Sequence, residues 1–317
     1  MKSKLFILAI SLMISCERSD HLPTPVLEAN LEPAISEEIS EYAANLDKAY
    51  WYAGKAEVSK FQLSQNRYKD EHDGELVLIF VTEDFLTDKQ VKNDNYTNPN
   101  SVSVLKTNQL RRFTTGLYDY SMMTSVFTKA DGSGTEKITM TSQDWCGHSF
   151  VQLNRKKDHY VVELRSYFES EGDQEVKVKA DLLEDEILNL LRINPENIKT
   201  GQYAILPSMT YLRLTHRPIE AIPAEISKTS LRRPGKASSS LDIHYPSLGR
   251  RLNIIYESEA PFKIVSITDT YPSMFDKKDR STTAVKTHEL YDAYWSMNDP
   301  SDKAERSTLN ISGFSGK

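Results

Sequence analysis

The stretch from Glu136 to Phe168 constrains the fold more than any other part of the chain. Apolar and β-branched side chains alternate with polar ones through Glu136 to Trp145, His148 to Asn154 and His159 to Phe168. A period of two suits a half-buried strand and no helix. The breaks are short, with Asn154 to Asp158 as the second hairpin loop, so the three segments read as an antiparallel meander. A meander with one apolar face needs more strands or helices to cover it.

The rest of the chain supplies them. Glu57 to Gln65 alternates through Val58, Phe61 and Leu63, and Glu75 to Phe85 carries the unbroken run Leu76 to Val81, which fits a strand in the middle of a sheet. Val102 to Phe113 and Tyr118 to Phe127 read as strands, followed by a turn at Asp131 to Gly134. Tyr203 to Ile219, Leu241 to Tyr245, Arg250 to Tyr256 and Phe262 to Asp269 continue the pattern, with Pro246 to Gly249 as a tight turn. Lys89 to Asn100 is a polar loop, and Leu231 to Ser240 reads as a linker or mobile loop. Three helices are expected. One follows Ser36, with Ile35, Ile39, Tyr42, Leu46 and Tyr50 as its stripe. The second is capped by Asp181 with Glu184, has Leu183, Ile187, Leu190 and Leu191 on one face, and stops at Asn194-Pro195. The third covers Thr283 to Trp295. No alternation of strand and helix supports a parallel sheet. The expected class is therefore mainly antiparallel β (α+β): a curved open sheet or half-barrel of two meanders with about three flanking helices.

The N-terminus carries an address. Lys2 and Lys4 precede the apolar stretch Leu5 to Ile14, which is far short of the ~20 residues needed to span a bilayer. Ser15-Cys16 follows, and this order resembles a bacterial lipoprotein signal. That resemblance implies cleavage before Cys16, which then carries a diacylglycerol thioether and an N-acyl chain such as palmitate. Two or three acyl chains hold a protein on a bilayer where one does not. Removing residues 1–15 takes away two lysines and leaves 37 basic against 45 acidic residues, so the lipid rather than charge would do the anchoring. The expected organisation is a signal peptide over 1–15, a Pro-interrupted tether over 16–34, a β-rich body over 35–297 with 35–195 and 196–297 as candidate halves, and a disordered tail over 298–317.

The segment Ser142 to His148 holds a carboxylate, an indole, a thiol, a glycine and an imidazole. A thiolate nucleophile wants a His to take its proton and a carboxylate to orient that His, which makes Cys146, His148 and Asp144 the catalytic candidates. The spacing argues the other way, because in a strand Cys146 and His148 stand about 7 Å apart on one face unless Gly147 bends the chain. Two alternatives stand beside catalysis: a ligand or metal role, and a buried Trp/Cys cluster with a glycine bulge. Because Cys16 is blocked when acylated, Cys146 is expected to be either well buried or reactive. The seven His are scattered, with no His-Glu-x-x-His or Cys-x-x-Cys, so no metal or cofactor is expected. Gly132-Ser-Gly134 lacks the Lys-Ser/Thr of a phosphate loop. A net charge of −6 without a dense basic patch makes nucleic acid an unfavoured partner. The 16 tyrosines could line a groove for a glycan or a hydrophobic ligand, or be strand residues with one wet end.

Tyr50 to Glu57, Leu78 to Phe85, Gln143 to His148, Arg192 to Pro195 and Leu206 to Ser208 together resemble an uncharacterised lipoprotein family of Bacteroidetes, over roughly residues 48 to 297. Some members carry the label septum formation inhibitor Maf. True Maf proteins are cytoplasmic nucleotide pyrophosphatases opening with a strand and a Ser-rich, Arg-containing loop, and no such loop follows an early strand here. The resemblance implies a common fold and brings no activity with it. The expectation is a non-enzymatic lipoprotein of the bacterial envelope, held at the outer membrane through Cys16, that binds a hydrophobic or glycan ligand or supports a larger assembly. The alternative is a hydrolase or thiol enzyme built on Cys146 and His148.

Overall fold

In the computed structural model, which describes residues 46–232 and 235–311, sixteen strands pair into one curved open sheet. The first meander runs through β1 (Ala56–Arg67), β2 (Asp70–Leu86), the short β3 (Val91–Lys92), β4 (Ser101–Thr115), β5 (Tyr118–Lys129), β6 (Thr135–Asp144), β7 (Gly147–Arg155), β8 (Tyr160–Ser166) and β9 (Gln174–Val178). The second runs from β10 (Leu182–Leu183) and β11 (Gly201–Leu206) through β12 (Ile222–Leu231), β13 (Ser238–Tyr245), β14 (Arg250–Glu257) and β15 (Ile264–Pro272) to β16 (Asp279–Asp292). Successive pairs are antiparallel except the short β10–β11 contact. The meanders join where β16 pairs with β1, placing Leu290 opposite Val58 and Ala284 opposite Leu63. The first and last strands of the body are therefore neighbours in mid-sheet.

Period-two patterning sets the faces. Phe61, Leu63, Leu76, Leu78, Phe80, Leu105, Ile138, Met140 and Leu153 are buried on one face of the sheet. Two of the four α-helices among the described residues, α2 (Ile187–Ile193) and α3 (Met209–Thr215), pack there; the others are α1 (Lys48–Trp51) and α4 (Lys303–Thr308). Every residue of α2 is buried, including Asn189 and Arg192. An amphipathic helix with one apolar face was the expectation; Leu188 and Ile193 complete an apolar surface all round, which is the signature of an enclosed helix. Its approach also differs. A 3-10 turn at Glu184–Glu186 precedes it, and the Glu186 carboxylate, not Asp181, accepts the N–H of Leu183 at 3.0 Å. Asp181 instead accepts from the N–H of Ala204 at 2.7 Å.

Three further expectations are corrected. Tyr203 to Ile219 is not one strand: β11 ends at Leu206, Ser208 caps α3 by accepting from the N–H of Tyr211 at 3.2 Å, and His216 closes it in a left-handed conformation. Pro207 has no donor for a ladder, which ends the strand there. Thr283 to Trp295 is not a helix, because Asp279–Asp292 pairs with β15 on one side and β1 on the other. Ladder bonds on both flanks, and β-branched Thr282, Thr283 and Val285, outweigh the helical spacing. The segment from 298 is not a structureless tail through 311, since Pro300–Asp302 forms a 3-10 turn, α4 follows, and Leu309 is buried with Val58 and Val77 on the opposite face. The loop expected at Leu231 to Ser240 narrows to a hairpin end, as β12 and β13 pair up to Leu231 opposite Ser238. Most of the helix expected after Ser36 lies outside the described residues, as does Cys16.

Candidate functional site

Trp145 and Cys146 form the two-residue connection of the β6–β7 hairpin, with Asp144 directly opposite Gly147. Both are exposed, which overturns the reading of a buried Trp/Cys cluster. Gly147 has φ +154°, and a Cβ there would lie 2.6 Å from the Tyr167 ring, so the close approach of that ring requires glycine. Pairing fixes which way each candidate points. Ser142 faces Ser149 and both are buried, whereas Gln143 faces His148 and both are exposed. Asp144 shares the inward face with Ser142, and its side chain is buried. One of its carboxylate oxygens accepts from Arg213 Nη2 of α3 at 2.8 Å and the other from the N–H of Cys146 at 2.9 Å. The carboxylate is thus committed to Arg213 on one side of the sheet while His148 projects from the other. Asp144 does not orient His148, and the set Asp144, Cys146, His148 is not assembled as a catalytic triad. Among the described residues, no three His, Cys, Asp or Glu side chains group as metal ligands.

The chemistry that sequence reasoning missed lies inside the sheet. Arg192 of α2 donates from Nη1 and Nη2 to the two carboxylate oxygens of Glu57 on β1, each at 2.7 Å. The guanidinium also donates from Nε to the carbonyl of Pro261 and lies 4.8 Å from the Trp51 ring and 4.6 Å from that of Phe80. Burial pushes the Glu57 carboxyl up, but the Arg192 charge and hydrogen bonds, with a bond from the Tyr50 hydroxyl, outweigh it and bring the pKa down to about 2. Asn189 locks the helix to the sheet in the same way a turn earlier, donating to the Leu105 carbonyl and the Thr128 hydroxyl at 2.9 Å and accepting from Thr107.

A second ionic group sits under α3. Arg250 donates to both oxygens of Glu184 (2.7 and 2.6 Å) and both of Asp269 (2.7 and 2.9 Å), with the Tyr211 ring 3.9 Å from its guanidinium carbon. Tyr245 donates a further bond to Glu184. Beside it Arg111 donates to Gln65, and Asp185 accepts from the N–H of Met209 at 2.9 Å. Burial, helped by the neighbouring Glu184 charge and opposed by the Met209 bond, lifts the Asp185 carboxyl to about 7. Arg111, Glu184, Asp185, Arg250 and Asp269 line a cavity of about 80 Å³ together with apolar side chains such as Leu76 and Leu188. A water occupies about 30 Å³ in the liquid, so the space is of the order of two or three waters. An open hollow of about 560 Å³ lies elsewhere, inside the loop from Leu86 to Pro99, lined by Asn93, Asp94, Asn95 and Asn98.

The sequence signal for these residues was present: Arg192 interrupts Leu190-Leu191-Arg192-Ile193, and Glu57 abuts the apolar end of its strand. A charge inside an apolar run has to be paired to be buried. No family model, curated protein or solved structure matches the chain.

Proposed function

We propose that the protein is a lipid-anchored lipoprotein of the bacterial envelope that acts without catalysis, as a binding or scaffolding body that meets its target on its outer surface. The anchor rests on the order Lys2, Lys4, Leu5 to Ile14, Ser15-Cys16. The observation that carries the rest is the filled interior. Here α2 and α3 pack against the sheet and leave a space of only about 80 Å³, lined by the Arg250 ionic group together with apolar side chains such as Leu252, Ile254 and Ile267. Small-molecule sites are typically ~300–1,000 Å³, several times larger. The separation of Asp144 from His148 removes support for a thiol hydrolase.

The test is lipid extraction and mass spectrometry of the protein purified from membranes. Acyl chains attached at Cys16, lost in Cys16→Ala, are the expected result. One unattached lipid per chain would overturn the filled-interior reading, and an unmodified Cys16 would overturn the anchor.

A further inference from the structure

We propose that one end of the sheet docks on the interfacial zone of a zwitterionic lipid bilayer through an apolar rim carried by successive hairpin tips. This deepens the proposed function, since it assumes the protein works at a membrane. In an antiparallel meander, alternate turns lie at the same end. The β15–β16, β1–β2, β4–β5, β6–β7 and β8–β9 connections are therefore together at one end, in that order across the sheet. Leu117 is 82% exposed, Trp145 66%, Tyr167 65% and Phe275 54%, and Met274 is exposed beside Phe275.

Turn chemistry favours Gly, Asn, Asp, Ser and Pro, so large exposed apolar residues at four of these five tips are not what the turns themselves call for. Isolated exposed apolar residues are ordinary, but a row of them marks an interaction surface. The row is also held firmly. Phe275 packs edge-on against Tyr68 at 5.0 Å, Tyr68 meets Tyr118, and the Tyr68 hydroxyl lies 2.8 Å from that of Tyr120. At the other flank Tyr167 packs over Gly147, next to Trp145.

The mixture of Trp, Tyr, Phe, Leu and Met matches the bilayer interface, where amphipathic rings sit at headgroup depth. Charge selects the kind of surface. Lys69, Lys277 and Lys278 are exposed near Phe275, but so are Asp70, Glu71 and Asp279 in the same turns. Asp119, Glu169 and Asp173 stand near the other tips, so acids outnumber bases along the rim. Such a balance neither needs nor favours a strongly anionic membrane. Reach permits the contact. The chain enters β1 from the opposite end, through α1. The thirty residues from Cys16 to Asn45 can span at most about 100 Å, whereas the 17 residues of β2 span about 56 Å. An anchor at Cys16 therefore allows the rim to touch the same bilayer.

The experiment uses the protein purified from membranes and reconstituted in phosphatidylcholine vesicles with brominated acyl chains. Trp145 emission is isolated by difference from Trp145→Phe, since Trp51 is buried and Trp295 lies at the other end. Trp145 is expected to be strongly quenched, and Leu117→Asp to abolish most of that quenching while leaving unfolding unchanged. Flotation with the vesicles reports the anchor separately. Protein that floats with Trp145 unquenched overturns the docking and leaves the anchor standing. Protein that neither floats nor is quenched overturns both.

Discussion

Arg192 holds Glu57 through two parallel hydrogen bonds of 2.7 Å at a point where neither side chain is more than 1% exposed. One belongs to the enclosed helix α2 and the other to β1, so the pair ties the helix to the strand that joins the two meanders. Buried pairs of this kind are not strong net stabilisers, because both charges must first be desolvated. Their effect is on which arrangement is allowed, since each ion is intolerable without the other.

Removing one partner should therefore cost more than removing both. Arg192→Met and Glu57→Leu are each expected to destabilise by about 3–5 kcal/mol in urea unfolding, and the double variant to recover most of the loss. A double variant as unstable as the sum of the singles would contradict the account.

The two kinds of buried carboxylate give opposite pH dependence. Glu57 has its pKa lowered to about 2 from 4.5, so the stability it contributes is present above pH 4.5 and lost as pH falls toward 2. Asp185 is raised from 3.8 to about 7, so the folded state binds the extra proton between those values and stability declines as pH rises through that window. Glu186, raised by burial, acts in the same direction. Asp185→Asn keeps an acceptor for the N–H of Met209 and should flatten the decline between about pH 4 and pH 7. An unchanged slope in unfolding free energy against pH would refute it.

Cys146 is exposed, so a small alkylating agent should label it in the folded protein without prior unfolding. His148→Ala should leave that rate unchanged, as no carboxylate orients the imidazole toward the thiol. A marked slowing in the variant would restore the enzymatic reading.

Gly147→Ala places a methyl 2.6 Å from the Tyr167 ring at a φ of +154°. The expected result is loss of stability together with displacement of Tyr167, read as a change in near-ultraviolet circular dichroism. A neutral substitution would mean that the ring moves aside freely.

The sheet was legible because period-two patterning is local, and Glu136 to Phe168 is enough to establish a meander. What stayed hidden depended on distant partners. Thr283 to Trp295 reads as a helix until β15 and β1 are seen to flank most of it, and Tyr203 to Ile219 reads as one strand until Pro207 and Ser208 are seen to end one element and cap the next. Asp144, Cys146 and His148 attracted attention as chemical types. Their fate was decided by register, which turns Asp144 inward to Arg213 and His148 outward. Glu57 and Arg192 each stand out as a charge beside apolar residues, but they are 135 residues apart and no local pattern says that they are partners.

The seam between β1 and β16 has a consequence for how the body comes into being. β1 acquires its second neighbour only when the final strand, more than two hundred residues downstream, has been delivered. Contacts that distant slow folding, because the intervening chain must be ordered first. A product cut short before Asp279 would leave β1 and β15 with open edges in mid-sheet, each a template for pairing with another chain. The body can be finished only once its whole length has arrived in the compartment where it folds.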